Sequence, residues 1–392
     1  MFLQHFPPMG VYETLFKFQD ATHMYMGDPG TRPWAQGFPL TKQLPNGPEL
    51  PGSVSFGAAD LKYPTATGMD PLRQAIVNYY NHFYGSNLSV DNVAVFAGGR
   101  PAIYATLMFL KPEVKVLIEE TEYTPYYDKL KLLNRTHTLI PSNPANNFRP
   151  TLADYKAAQG NGPTLVVKSN PCNPTGVTWS GSALKDLVDY STAANRGAIF
   201  DEAYEFFNAS GPISAMQYIR DIDNTNLFVI GAATKGLQVP GMRTGWVIAS
   251  KEHVELFRNF SSIAMGGVCR PAQIYVTNLL QLERAKQARH AVVAFYNKQR
   301  DDYRQGLEKC GIELCTGDGG FYHWGKLPGG MTADDFNAKL FRHKAAVLPG
   351  HLCDMHRRGN QGPHAQFIRF SFGPLEPESM AENLKIIKSA LS

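Results

Sequence analysis

The chain has 392 residues, 43% of them hydrophobic and 18% charged, which is too long for one small core and points to two domains. The formal net charge is +4 with no basic run, so no nucleic-acid partner is expected. None of the five cysteines forms a close pair, the N-terminus MFLQHFPPMG lacks a charged leader before an apolar core, and no apolar run approaches the roughly 18 residues of a membrane span; a soluble, reduced, cytoplasmic protein without metal is the expectation.

Residues 1–50 read as irregular, because MGDPGTRPWAQGFPLTKQLPNGPELPG is dense in Pro and Gly. Phe, Trp and Leu within it favour a packed, functional loop over a tail. From about residue 70 the pattern turns regular. DPLRQAIVNYYNHF is a helix by spacing, NVAVFAG a strand, RPAIYATLMFL a helix, VKVLIEE a strand and TPYYDKLKLL a helix. TLVVKSN, GAIFDEA, NLFVIGAA and GWVIAS follow as strands, with the helix SALKDLVDYSTAA after the first, and the last strand is expected to be antiparallel. Alternation of this kind predicts a mostly parallel sheet covered on both faces. Glu283 to Gly311 is one long helical stretch stopped by Gly311. Beyond it, IELC, GFYHWG, AAVLPG and FIRFSFG are short strands, with DDFNAKLF and ESMAENLKIIKSAL as amphipathic helices. The fold class is therefore α/β, with a small α+β domain beside the main sheet. The expected division is residues 50–285 for the large domain, and 1–49 with 286–392 for the small one.

Ligands of open α/β sheets bind outside the carboxyl ends of the strands, and the notable polar residues of this chain fall there. Lys235 lies just past NLFVIGAA, with Arg243 eight residues on. An amine can form a Schiff base with an aldehyde, and a guanidinium can grip a phosphate. SNPCNPTG, Ser169 to Gly176, carries two Asn-Pro dipeptides that turn the chain and present Asn173. Asp201 ends a buried strand, with Tyr204 three residues on; a buried acid needs a cation, unless it serves as a helix N-cap. In AGGRP, Gly98 and Gly99 open a helix whose N-terminus attracts anions, without the GxGxxG or GxxxxGKS pattern of nucleotide sites. Tyr123 stands past a strand, either packed or free to stack on a planar ring. Arg369 in FIRFSFG sits among apolar residues and requires an anion, from a salt bridge or from a substrate carboxylate.

Taken together, Asn170 to Gly176, Asp201-x-x-Tyr204, Lys235 with Arg243, and Arg369 resemble the fold-type I pyridoxal-phosphate enzymes, and within them the class I/II aminotransferases. The resemblance runs from about Tyr63 to the C-terminus. It implies an aspartate aminotransferase-like fold with a seven-stranded-type sheet in the large domain, and pyridoxal 5'-phosphate as cofactor. It implies that Lys235 forms the Schiff base and then moves the proton. Asp201 would keep the ring nitrogen protonated, Tyr204 and Asn173 would bond the ring oxygen, and Tyr123 would stack on the ring. Gly98, Gly99, Arg100, Thr234 and Arg243 would surround the phosphate. Tyr63 would reach the phosphate of a neighbouring subunit, which implies a homodimer with shared sites. Arg369, Asn173 and Gly27 would hold the substrate carboxylate. Trp34, close to Gly27 in sequence with His23 and Arg32, is a candidate for the substrate side chain.

The chain departs from the family pattern in three places. Ala232 stands where a phosphate-binding serine is usual, Gly99-Arg100 replaces a Ser-Gln pair, and Glu122 replaces a proline before Tyr123. The implied reaction moves an α-amino group between an amino acid and a 2-oxo acid. Elimination, replacement, cyclisation, decarboxylation or oxidation would use the same lysine, aspartate and arginines. A non-enzymatic regulator on this fold usually carries an added DNA-binding domain, for which the chain has no room. The substrate side chain is not readable; the aromatics near the N-terminus fit an aromatic or large apolar one, or a guanidino group stacked on Trp34.

Overall fold

The computed structural model describes residues 2–3 and 5–392. In chain order the helices are α1 (Tyr12–Thr22), α2 (Asp70–Tyr84), α3 (Gly99–Met108), α4 (Pro125–Leu132), α5 (Leu152–Ala158), α6 (Gly181–Ser191), α7 (Lys251–Ala264), α8 (Arg270–Leu279), α9 (Leu282–Lys309), α10 (Ala333–Leu340) and α11 (Met380–Leu391). The strands are β1 (Val93–Phe96), β2 (Lys115–Glu119), β3 (His137–Ile140), β4 (Thr164–Ser169), β5 (Arg196–Asp201), β6 (Leu227–Ala232), β7 (Gly245–Ile248), β8 (Glu313–Leu314), β9 (Tyr322–Lys326), β10 (Leu348–Pro349) and β11 (Phe367–Ser371).

Seven strands form one sheet in the order β1-β7-β6-β5-β4-β2-β3. The pairs β6/β5, β5/β4, β4/β2 and β2/β3 are parallel, while β7 runs antiparallel to both β6 and β1. This is the mostly parallel α/β architecture expected from the strand–helix alternation. Successive side chains of a strand point to opposite faces, and the core divides accordingly. Val95, Val166, Phe200, Val229 and Ile248 join one apolar cluster with α2, α6 and α8. Their neighbours Ala94, Val167, Ile199, Ile230 and Val247 join a second cluster with α3, α4 and α7. Both faces are thus covered, which is why these strands read as unbroken apolar runs. The four-stranded sheet β10-β11-β9-β8 is separate and wholly antiparallel. The 28-residue α9 leads from the large sheet to this small one and is closed by Gly311 at φ 87°, a conformation open to glycine at little steric cost.

The structure corrects one expectation for residues 1–50. They are not wholly irregular: residues 12–22 form α1. Val11, Leu15 and Phe18, at helical spacing, pack with Trp324, Leu348 and Phe367 of the small sheet. Pro and Gly on both flanks hide that periodicity in the sequence. The strand β3 and the helices α5, α7 and α8 also lie outside the elements read from sequence. β3 is a short edge strand with an exposed start, so it lacks the apolar run that marks the inner strands. Among the described residues no helix is long and apolar enough to cross a membrane.

Candidate active site

The carboxyl ends of β2, β4, β5 and β6 share one edge of the large sheet, and a cavity of about 480 Å³ opens there. Lys235, Asp201, Tyr204, Asn173, Tyr123, Gly99, Arg100, Thr234, Arg243 and Arg369 all line it. These ten come from segments up to 270 residues apart, and the strand ends hold them in one place.

Asp201, the last residue of β5, shares the face of Ile199 and so points toward α4. Its Oδ2 accepts a hydrogen bond from the Tyr126 hydroxyl at 2.6 Å, and its Oδ1 accepts from the Ala203 N–H at 3.1 Å. Burial raises its pKa, and these two donors together with Lys129 and Arg100 oppose the rise. Such a carboxylate gains from an added cation more than one already paired in water.

Lys235 follows β6 by three residues, and its Nζ donates to the Gly37 carbonyl. Burial, and then the positive charges of Arg100, Arg369 and Arg243, bring its pKa down to about 7, with Asp201 opposing. A large fraction of this amine is therefore neutral near pH 7, which makes it both a nucleophile and a base.

Arg369 is buried at the centre of β11. Its Nη1 donates to Asn173 Oδ1 at 2.9 Å and its Nη2 to the Ala35 carbonyl at 2.6 Å, while Nε has no partner. The guanidinium carbon lies 4.3 Å from the centre of the Tyr322 ring. A buried guanidinium without a carboxylate is an anion site in waiting. Asn173 presents its amide from the Asn170–Thr175 turn, where both Asn-Pro bonds are cis.

At the other end of the cavity α3 begins at Gly99, and its first-turn N–H groups have no intrahelical partner. No acidic residue occupies that turn. Gly98, at φ 97°, lies behind it where a Cβ would strike the Arg243 guanidinium. Arg243 donates to the carbonyls of Pro240 at 3.0 Å and Ala97 at 3.2 Å. Arg100 Nε donates to the Tyr123 hydroxyl at 2.6 Å. Helix N-terminus, glycine cradle and two guanidiniums together form a donor set suited to a phosphate.

Two expected substrate residues stand elsewhere. Trp34 is fully buried and packs on Phe370, with ring centres 5.4 Å apart. Phe370 and Arg369 are successive residues of one strand and point to opposite faces, so Trp34 lies behind the sheet that presents Arg369. Gly27 is exposed, and its N–H is held by the Thr31 hydroxyl at 2.9 Å. The glycine that meets the site is Gly37, where a Cβ would fall on the Tyr322 hydroxyl. Tyr63 is 90% exposed and outside this cavity.

Sequence reasoning missed Gly37, Tyr126 and Tyr322. Tyr126 follows Tyr123 by three residues across Pro125, so the turn that starts α4 carries both toward the site; their rings meet edge-on at 5.4 Å. Tyr322, whose hydroxyl bonds that of Tyr204, carries no signal beyond its place two residues from Trp324 in an alternating strand.

A family model for aminotransferase class I and II matches residues 37–387. The chain belongs to the class I and II aminotransferases. It is 25% identical to the aspartate aminotransferase of Pyrococcus horikoshii over 334 residues, 84% of this chain and 83% of that one. The probable aspartate/prephenate aminotransferase of Aquifex aeolicus is 24% identical over 341 residues, 84% of this chain and 83% of that protein. The crystal structure of the aspartate aminotransferase from Thermotoga maritima superposes with a TM-score of 0.79 at 21% identity, covering 98% of this chain and 97% of that one. In this aminotransferase, then, the cationic cavity lies at the strand ends of a shared fold.

Proposed function

We propose that this aminotransferase moves an α-amino group from an amino acid to a 2-oxo acid with pyridoxal 5'-phosphate bound in the strand-end cavity. The observation that carries the reading is the meeting of Lys235, Asp201 and Arg369 in one cavity that holds four cationic side chains and a single carboxylate. When bound, the cofactor supplies an aldehyde that condenses with amines and a protonated ring that withdraws electrons from the substrate's Cα.

The chain's own groups do the rest. The first turn of α3, Arg100 and Arg243 would hold the phosphate, with Thr234 beside them. Asp201, kept in place by Tyr126, would meet the ring nitrogen and favour its protonated form. Tyr123 would pack on the ring, and Tyr204 and Asn173 would be the donors to its oxygen. Arg369 binds the substrate carboxylate through its guanidinium fork. Lys235 Nζ would be the group that holds the cofactor's aldehyde carbon, and once freed by a substrate amine it would be the base positioned to accept a proton from Cα and to give it up again. With a pKa near 7 the amine can both accept and release that proton at neutral pH.

The further reading is of a cytoplasmic homodimer whose Tyr63 completes the partner's phosphate site, with residues 50–285 as the cofactor-binding part and 1–49 with 286–392 as the smaller part. The test is a product analysis with and without a 2-oxo acid. The account expects stoichiometric new amino acid from the acceptor and no ammonia. Turnover without acceptor, with ammonia released, would contradict it.

A further inference from the structure

The substrate side chain has a wall of its own in this cavity. β9 and β11 pair with Arg369 opposite Trp324, and directly opposed residues point to the same face. Tyr322, two residues from Trp324, shares that face and carries the Arg369 guanidinium. α1 lies along it. Phe18 is buried in the Trp324 cluster, Val11 and Leu15 pack against the same cluster, and Val11, Tyr12 and Leu15 line the cavity beside Arg369. The helix is fastened just before its start and at its middle: the Gly10 N–H donates to Asp128 of α4 at 2.7 Å, and Lys17 pairs with Asp334 of α10 at 3.4 Å. Phe38 adds a further apolar surface.

The charges of the lining decide which side chains this wall accepts. The one acid is Asp201, and both its oxygens are engaged by Tyr126 and Ala203. Among the residues this chain itself contributes, an ammonium or guanidino side chain would find no free carboxylate, only three guanidiniums. A side-chain carboxylate fares no better. A phosphate carries about −1.5 to −2 and the α-carboxylate one more, so these two anions take up Arg100, Arg243 and Arg369 between them. Gln36, the polar side chain next to Gly37, is uncharged and turns one of its two amide N–H donors to the Met26 carbonyl at 2.9 Å.

We propose that this site selects amino acids with a bulky uncharged side chain, aromatic or branched aliphatic, and that Val11, Tyr12 and Leu15 of α1 together with Phe38 determine that choice. The inference rests on the aminotransferase reading and gives it a substrate class.

The experiment is calorimetric titration of the cofactor-loaded protein with carboxylates that lack the amino group: 3-phenylpropionate, 4-methylpentanoate, butyrate, succinate and 5-guanidinopentanoate. The first two should bind at least about tenfold more tightly than succinate or the guanidino acid, the scale set by burying a few methylene groups. Leu15→Ala should weaken 3-phenylpropionate about tenfold and butyrate by no more than about threefold, because butyrate is too short to fill the wall; Leu15→Met should recover most of the loss. Tighter binding of succinate or of 5-guanidinopentanoate overturns the inference and leaves the aminotransferase reading standing. Equal losses for both ligands in Leu15→Ala would reduce α1 to a structural element and overturn it as well. A protein that takes up no cofactor would remove the aminotransferase reading, and this inference with it.

Discussion

Two groups of charge lie within a few residues of each other in this molecule and are built oppositely: one is sealed in the interior, and the other opens to solvent through Arg100 and Arg243. Below the sheet end, Lys168 and Glu119 form a fully buried ion pair at 2.6 Å, with the Tyr155 hydroxyl on the same carboxylate oxygen at 2.7 Å. Glu122 beside them is pushed up to about 8 by burial and bonds the Ser169 hydroxyl and the Tyr123 N–H. The Lys168 charge there is met inside the protein by Glu119, although Glu119 Oε2 itself accepts no hydrogen bond. Glu119, Glu122 and Cys172 come close enough to resemble a metal site, but Lys168 already fills the place of the cation. In the cavity, by contrast, Lys235, Arg100, Arg243 and Arg369 face one another around a single carboxylate. A closed network holds a fold together; an excess of one sign held in place by the fold is waiting for a ligand.

Substitutions break that contrast in different observables. Lys235→Ala should lower kcat by at least about 10³-fold, since it removes the nucleophile and the base together, while its midpoint of urea unfolding is no lower than that of the cofactor-free wild type. A variant that retains turnover would end the assignment. Lys168→Met should do the reverse. It leaves Glu119 buried and unpaired, so the expected loss is about 3–5 kcal/mol of stability, read from the denaturation midpoint, with cofactor absorbance per folded molecule unchanged.

Arg369→Gln removes one charged fork. We expect a fall of about 10²-fold in kcat/KM carried mostly by KM, with cofactor affinity held; an unchanged KM would show that the carboxylate binds elsewhere. Tyr126→Phe deletes one hydrogen bond to a buried carboxylate, worth about 1.5–3 kcal/mol at most. It should lower cofactor affinity and shift the pH dependence of the bound absorbance, and Asp201→Asn should abolish that shift.

A further effect is on stability against pH in the cofactor-free protein. The Lys235 pKa falls from 10.5 to about 7 on folding, so between these values the unfolded chain binds the extra proton and stability rises with pH. Glu122 has the opposite sign. Its pKa rises from 4.5 to about 8, so its contribution to stability falls across that interval as pH rises. Lys235→Met should therefore exceed the wild type in stability at pH 7 by more than it does at pH 10, and Glu122→Gln should gain on the wild type between pH 5 and 8. Parallel stability curves would contradict both shifts.

The large sheet was legible because buried parallel strands must be apolar throughout, so that each ends visibly where a polar residue begins. Asp201, Asn173 and Lys235 stand at those ends, and their gathering into one cavity follows from the strand order. What was not legible depended on contacts across the chain. Trp34 looked like a ligand platform beside Gly27, yet the alternation of Phe370 and Arg369 puts it behind the sheet. Gly37, ten residues on, meets the site because the segment after Trp34 runs along β11, where the Trp34 carbonyl accepts from the Ser371 N–H at 2.8 Å. No local pattern encodes that pairing. α1 was hidden for a related reason: its stripe of Val11, Leu15 and Phe18 is short, and what it packs against, Trp324 and Leu348, lies more than 300 residues away.

The central claim is that one ε-amino group in a cationic cavity holds the cofactor. The direct measurement is to incubate the purified protein with pyridoxal 5'-phosphate, reduce it with borohydride, digest it and locate the adduct by mass spectrometry. The account predicts one pyridoxyl group per chain, on Lys235, lost in Lys235→Ala and diminished by competing inorganic phosphate. A colourless protein, or label spread over surface lysines with Lys235 unmodified, would contradict it.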